Sequence, residues 1–250
     1  MKNFYWIATL YCIAALSPTV LAQPQQQIDS LIAVSKANPK EDTSKISTLI
    51  SLARTYQDTD PNIGIVVADQ AQAIAKKLNN PMYIAESQIV KGFNLRQLSK
   101  VDPALMQFDS ARVTMEKLGL KHRTATCLEN LAILCAMRGN YATSIENLEK
   151  AIKLYTEVDD KKRLAACNEI FGLTHNNMGN YDKALTYYEK AFAGYVALGL
   201  TDGYANVTQN IGNIHYHQGN YFRALTAYHQ ALKYLENAPH KELVPIIETN

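Results

Sequence analysis

The chain has 250 residues, 47% of them apolar, which is enough to bury a core of one large domain or two small ones. Its 25 basic and 23 acidic residues leave a formal charge of +2 and are spread without blocks. So even a balance supplies no basic stripe for DNA or RNA, and nucleic-acid binding drops out as a class.

Residues 1–22 differ from the rest. Lys2 is their only charge, an apolar run from Phe4 to Leu16 follows it, and Val20, Leu21 and Ala22 precede Gln23. A charged start, an apolar stretch and small residues before the junction form the layout of a secretory signal peptide, with cleavage expected after Ala22. An uncleaved anchor is the alternative, because residues 4–21 almost reach the length that spans a bilayer. Pro18 and Ala22 favour cleavage. Export to the periplasm or cell envelope, or secretion, is the expected location. No second apolar stretch is long enough to cross a membrane.

Residues 23–42 read as a linker carrying a short capping helix over 26–37. Beyond them a period organises the chain. Gly139-Asn140-Tyr141, Gly179-Asn180-Tyr181 and Gly219-Asn220-Tyr221 recur 40 residues apart. Whole columns keep that register: Ala71, Ala111, Ala151, Ala191 and Ala231; Ala85, Ala125, Ala165 and Ala205; Ile65, Leu105, Ile145, Leu185 and Leu225. Self-similarity at one spacing marks a stacked repeat architecture.

Inside a unit the pattern is helical twice. Leu128, Leu131, Ala132 and Cys135 fall at three- and four-residue steps, as do Ile145, Leu148, Ala151, Ile152 and Tyr155. Between the two runs the glycine suits the left-handed conformation that ends a helix, and the asparagine suits the cap of the next. Gly119 and Gly199 stand at the other turn, where Asn79 and Asp159 substitute. Five helical hairpins follow: 43–78, 81–118, 121–158, 161–198 and 201–237. The first is degenerate, with Pro61 in place of the turn tyrosine and Leu52-Ala53 one residue out of step. Residues 238–250 open an incomplete sixth unit.

The alanine columns have a physical reason: small side chains let two helices cross at about 8 Å. Large residues such as Tyr188 and Tyr228 then fill the space alongside. One hairpin cannot bury both faces, so neighbours must stack. The expected fold class is all-α, a right-handed α-solenoid of stacked helical hairpins.

Phe171-Gly172, His175, Ala184, Tyr188 and Ala191, with Ile211-Gly212, His215, Ala224, Tyr228 and Ala231, occupy the positions of the tetratricopeptide repeat pattern. The chain therefore resembles that family. It departs in its first tryptophan position, filled by Leu128, Asn168 or Thr208, and in a unit of 40 residues where the family has 34, which implies a longer-helix subtype. It also looks like the extracytoplasmic sensor halves of bacterial histidine kinases and regulators of this repeat type.

The resemblance implies that the first helix of each hairpin lines a concave, peptide-binding groove. Taking the Leu-Gly pair as inward, the groove positions are Glu86, Ile89, Phe93, Arg96 and Gln97 in the second hairpin. They are Thr126, Glu129, Ile133, Ala136 and Met137 in the third, and Ala166, Glu169, Leu173, Asn176 and Asn177 in the fourth. The fifth contributes Asn206, Gln209, Asn213, Tyr216 and His217, whose amides suit the backbone of an extended peptide. Only Arg96 among them is basic, which argues against a ligand held by its C-terminal carboxylate.

Catalysis has no visible constellation, and no phosphate loop, zinc helix or calcium loop occurs. Cys127, Cys135 and Cys167 lack zinc-site spacing and read as small buried residues. No cofactor or metal is expected, and the protein is not expected to be an enzyme. Two functional readings remain: an exported scaffold or adaptor that binds a protein or peptide, and the sensor portion of a membrane-bound signalling protein.

Overall fold

The computed structural model describes residues 18–236, with side chains from Gln25 onward. Residues 1–17 of the expected signal segment (1–22) and the whole of the sixth unit (238–250) lie outside the described residues. All regular structure within them is helical. No helix of the described residues is long and apolar enough to cross a membrane. The chain divides into two compact units between Arg138 and Gly139. This division falls at the central turn of the third expected hairpin.

The first unit holds α1 (Pro18–Ala37), α2 (Thr43–Thr55), α3 (Pro61–Lys77), α4 (Pro81–Gln97), α5 (Val101–Lys117) and α6 (Lys121–Met137). Each packs on the next, and α2 also packs on α4. The capping helix α1 is longer than expected, starting at Pro18 and running through the Ala22–Gln23 junction. Glutamine is a good helix former, so nothing in Gln25–Gln27 delays the start. Ile28 of α1 is buried beside Ile46 and Leu49, and the Lys45 ammonium donates to the carbonyls of Ser35 and Asn38 at the end of α1. Pro61 occupies the first turn of α3, where a missing N–H costs nothing, and Asp60 caps that helix by accepting from the N–H of Asn62 and Ile63.

The second unit holds α7 (Tyr141–Glu157), α8 (Lys161–Asn177), α9 (Tyr181–Ala197), α10 (Thr201–His217) and α11 (Tyr221–Glu236). Each again packs on its successor, and α8 touches α10. Eight interhelical turns share one geometry, a single residue of positive φ followed by the next helix's cap. At Gly179 (φ 75°) the N–H of Asn180 bonds back to the His175 carbonyl at 2.9 Å, which closes the end of α8. Asn79, Asp159 and Ser99 fill the glycine place at φ 48°, 52° and 55°. Asn140 caps α7 through its side chain as expected, whereas Asn180 makes no side-chain cap bond.

Both alanine columns are buried throughout. The close crossing they permit is tightest where a glycine meets an aromatic ring. A Cβ on Gly172 would sit 2.5 Å from two ring carbons of Tyr188, and one on Gly212 would sit 2.6 Å from Tyr228. Gly92 stands in the same relation to Phe108, at 2.8 Å. A glycine on the first helix of a hairpin is thus the seat for a ring from the second. Burying such a ring contributes about 2–3 kcal/mol from apolar area alone. Ile65, Leu105, Ile145 and Leu185 of the third column are half-buried, while Leu225 is 56% exposed.

Candidate binding face of the second unit

In the first unit the expected groove positions are mostly occupied by the protein's own contacts. Phe93 packs edge-on against Phe108 with ring centroids 5.3 Å apart, and the Arg96 guanidinium lies over Phe93 at 5.8 Å. Glu129 is only 4% exposed, Ile89 and Thr126 are buried, and Ile133 is half-buried. Glu86 is also buried and pairs with Arg123 at 2.6 Å. Assigning Glu129, Ile89 and Thr126 to an open groove therefore needs correcting. All three are buried, so none of them is an open position.

The second unit is more open. On α8, Leu173 is 44% exposed, Asn177 is exposed and Asn176 is half-buried. On α10, Asn206 and His217 are exposed, Gln209 is half-buried and Tyr216 is 52% exposed. Tyr216 lies edge-on to Tyr221 at 5.5 Å and to His217 at 6.0 Å. Two positions are tied down. Tyr195 donates from its hydroxyl to Glu169 Oε2 at 2.7 Å, and Tyr228 donates to Asn213 Oδ1 at 2.8 Å. Asn213 thus belongs as much to the packing seam as to the face.

Electrostatics follow burial. Desolvation pushes the Glu169 carboxyl above the usual carboxylate range, against the Tyr195 hydrogen bond that favours its charged form. Burial also raises the Tyr188 hydroxyl, and the Glu169 charge adds to that rise. That hydroxyl is buried and has no hydrogen-bond partner. Between the same two helices, Phe171, Tyr187 and His175 form a stack with centroid spacings of 4.7 and 5.4 Å, and Lys190 caps Tyr187 at 5.1 Å. Burial, then the nearby Lys183, hold His175 below its ordinary value.

Sequence reasoning missed a cleft of about 480 Å³ in this unit, lined by Phe192 of α9, Ile211 and His215 of α10, and Phe222, Arg223 and Ala227 of α11. Phe222 is 84% exposed and stands in a column otherwise held by Asn62, Asp102, Ala142 and Asp182. That break in the column was a legible signal. Among the described residues no three His, Cys, Asp or Glu side chains converge as metal ligands. Cys127 and Cys167 are buried thiols, and burial pushes Cys127 up to about 12. Cys135 is half-buried, a partial exception to the expected burial of all three.

The tetratricopeptide repeat profile matches residues 83–157 and 164–239, more than half of the chain. The protein belongs to the tetratricopeptide repeat family. No curated protein matches its sequence. Solved structures share its fold at low identity. BtubC (BKLC) from P. vanneervenii aligns with a TM-score of 0.69 at 17% identity, over 88% of this chain and 91% of that one. A Rap protein complexed with Competence and Sporulation Factor aligns at 0.67 and 14%, over 90% and 68%. The signal transduction ATPase PH0952 from Pyrococcus horikoshii, described as having a tetratricopeptide repeat sensor, aligns at 0.70 and 15%. This chain spans 89% of its own length in that match but 37% of the ATPase's.

Proposed function

We propose that this protein is an exported scaffold that holds an extended segment of a partner protein against α8 and α10. The observation that carries the reading is the exposure of Leu173 and Tyr216, both large and apolar, among the amides of Asn177, Asn206 and Gln209. Apolar anchors with amide donors and acceptors beside them suit a polypeptide backbone. The Rap neighbour, whose structure is a complex with Competence and Sporulation Factor, supports a binding role for this fold. The sensor portion of a membrane-bound signalling protein is the second reading, favoured by the repeat sensor of the Pyrococcus horikoshii ATPase. The 40-residue unit belongs to a longer-helix subtype in either case.

A photo-crosslinking residue placed at Leu173, with Val196 on α9 as an equally exposed control, tests the face. Crosslinks to one polypeptide segment from a cell-envelope extract, formed at position 173 and absent at 196, are expected. Equal yields at both positions would sink the assignment. Export is tested separately by mass spectrometry of the native protein, where an N-terminus at Gln23 is expected. A retained Met1 on a membrane-bound product would favour the anchor.

A further inference from the structure

Compared with the fourth hairpin, the fifth lacks a ring in one place and carries an extra one beside it. In the fourth, the ring of Tyr187 stacks on Phe171 and His175 with centroid spacings of 4.7 and 5.4 Å. The column mates of those three residues are Ala227, Ile211 and His215, and over them opens the cleft of about 480 Å³. Val67, Gln107, Asn147 and Tyr187 hold the column of Ala227 in the other hairpins, so only the fifth reduces that position to a methyl. The cleft is thus the place of a missing ring, and its size and apolar lining suit one.

A ring without a seat stands at its rim. Phe222, at 84%, is the most exposed large apolar side chain among the described residues. Its column mates Asn62, Asp102, Ala142 and Asp182 are exposed as well, so the stacking of hairpins leaves this position in water. Polar or small residues suit that; a phenyl ring marks a contact from outside the hairpin. Thr208, Ile211 and His215, on the α10 side of the cleft, face away from Asn206, Gln209 and Tyr216 by helical spacing, so the cleft is separate from the binding face. Its walls carry one charge of each sign, Glu189 on α9 and Arg223 on α11. A face that bears both signs does not repel its own copy.

We infer that two copies of this chain associate through this face, the Phe222 ring of each entering the cleft of the other. A two-fold interface needs the projecting group and its receptor on one patch of each copy, and Phe222 and Ala227 meet that condition from a single helix. Ile211, His215 and Ala227 then receive a ring where Phe171, His175 and their own hairpin receive Tyr187. One ring from each copy makes a small interface, so the dimer is weak and depends on concentration. The inference stands independently of the peptide-binding reading.

The test places the photo-crosslinker benzoylphenylalanine at position 222 of the full chain and irradiates an equal mixture of unlabelled and heavy-nitrogen-labelled protein. Crosslinks between chains of different label, joining position 222 to the α10 segment around Ile211 and His215, are expected. Ala227→Tyr supplies the ring that the fourth hairpin carries and should lower their yield about tenfold, as the loss of a buried ring from each copy supplies. Phe222→Asp introduces the residue found at 102 and 182 of the same column, at an exposed position on which the fold does not depend. In sedimentation velocity at equal concentration it should shift the chain toward monomer. Crosslinks formed only within single chains would mean that Phe222 seats in its own cleft, and overturn the dimer. An absence of crosslinks overturns it too, as do mixed-label crosslinks undiminished by Ala227→Tyr or a sedimentation profile unchanged by Phe222→Asp.

Discussion

Tyr228 on α11 donates from its hydroxyl to Asn213 Oδ1 on α10 at 2.8 Å, and its ring covers the adjacent Gly212. One side chain thus both fills the helix crossing and pins an amide that the repeat register assigns to the binding face. Asn213→Ala should therefore cost about 1–2 kcal/mol in thermal unfolding, because the Tyr228 hydroxyl loses its acceptor. Asn206→Ala, on an exposed neighbour of the same helix, should stay within about 0.5 kcal/mol. Equal effects would mean that the Tyr228 bond contributes nothing.

The glycine seats are equally specific. Gly172→Ala places a methyl 2.5 Å from ring carbons of the buried Tyr188. Overpacking of this kind costs roughly 1–3 kcal/mol. Ala224→Leu, at another buried point of the fifth hairpin, should lower the midpoint similarly. A Gly172→Ala chain that melts with the wild type would show that the ring shifts aside freely.

Ser99 holds φ at 55° in a turn where Gly119, Gly139 and Gly179 meet the same demand without a side chain. The left-handed region costs a non-glycine residue roughly 1–2 kcal/mol. Ser99→Gly should accordingly raise stability, by somewhat less than that because glycine has more freedom to lose on folding. Denaturant melts would read the gain as a higher midpoint at unchanged slope. A lower midpoint would mean that the serine side chain contributes more than the strain removes.

His175 supplies a pH dependence with a definite sign. Burial and Lys183 depress its value in the folded chain below the ordinary 6.5. The unfolded chain therefore takes up a proton first as pH falls through 6.5, and the fold loses stability from there down to the lower folded value. His175→Gln should remove that loss, so the stability difference between the two chains should change as pH falls from 7.5 to 5. A constant difference would show that His175 titrates alike in both states. Glu169 works in the opposite sense at lower pH, because burial raises it and protonation relieves its desolvation.

The architecture was legible because it is local and repeated. Three- and four-residue spacing decides that Leu128, Leu131 and Cys135 share a helical face, and the 40-residue columns carry that decision through the chain. Turn chemistry was legible for the same reason: Asn79 and Asp159 were recognisable as stand-ins for glycine, although Ser99 was not, since serine rarely takes the left-handed region. Ambiguity arose where neighbours matter. A period assigns a residue to a helical face, but not whether another helix covers it, so Glu129 and Ile89 read like Asn206 and are buried.

The sequence by itself determined an all-helical repeat protein of the tetratricopeptide family, together with its turns, its small-residue crossings and the ring-filling role of Tyr188 and Tyr228. Only the tertiary structure decided which polar groups those rings satisfy. Tyr188 and Tyr228 hold the same place in the pattern, yet one hydroxyl reaches an amide and the other reaches none, because position 173 is leucine and position 213 is asparagine. Hydrogen bonds form or fail within a few tenths of an ångström between helices 15 or more residues apart in the chain. No periodicity carries that distance.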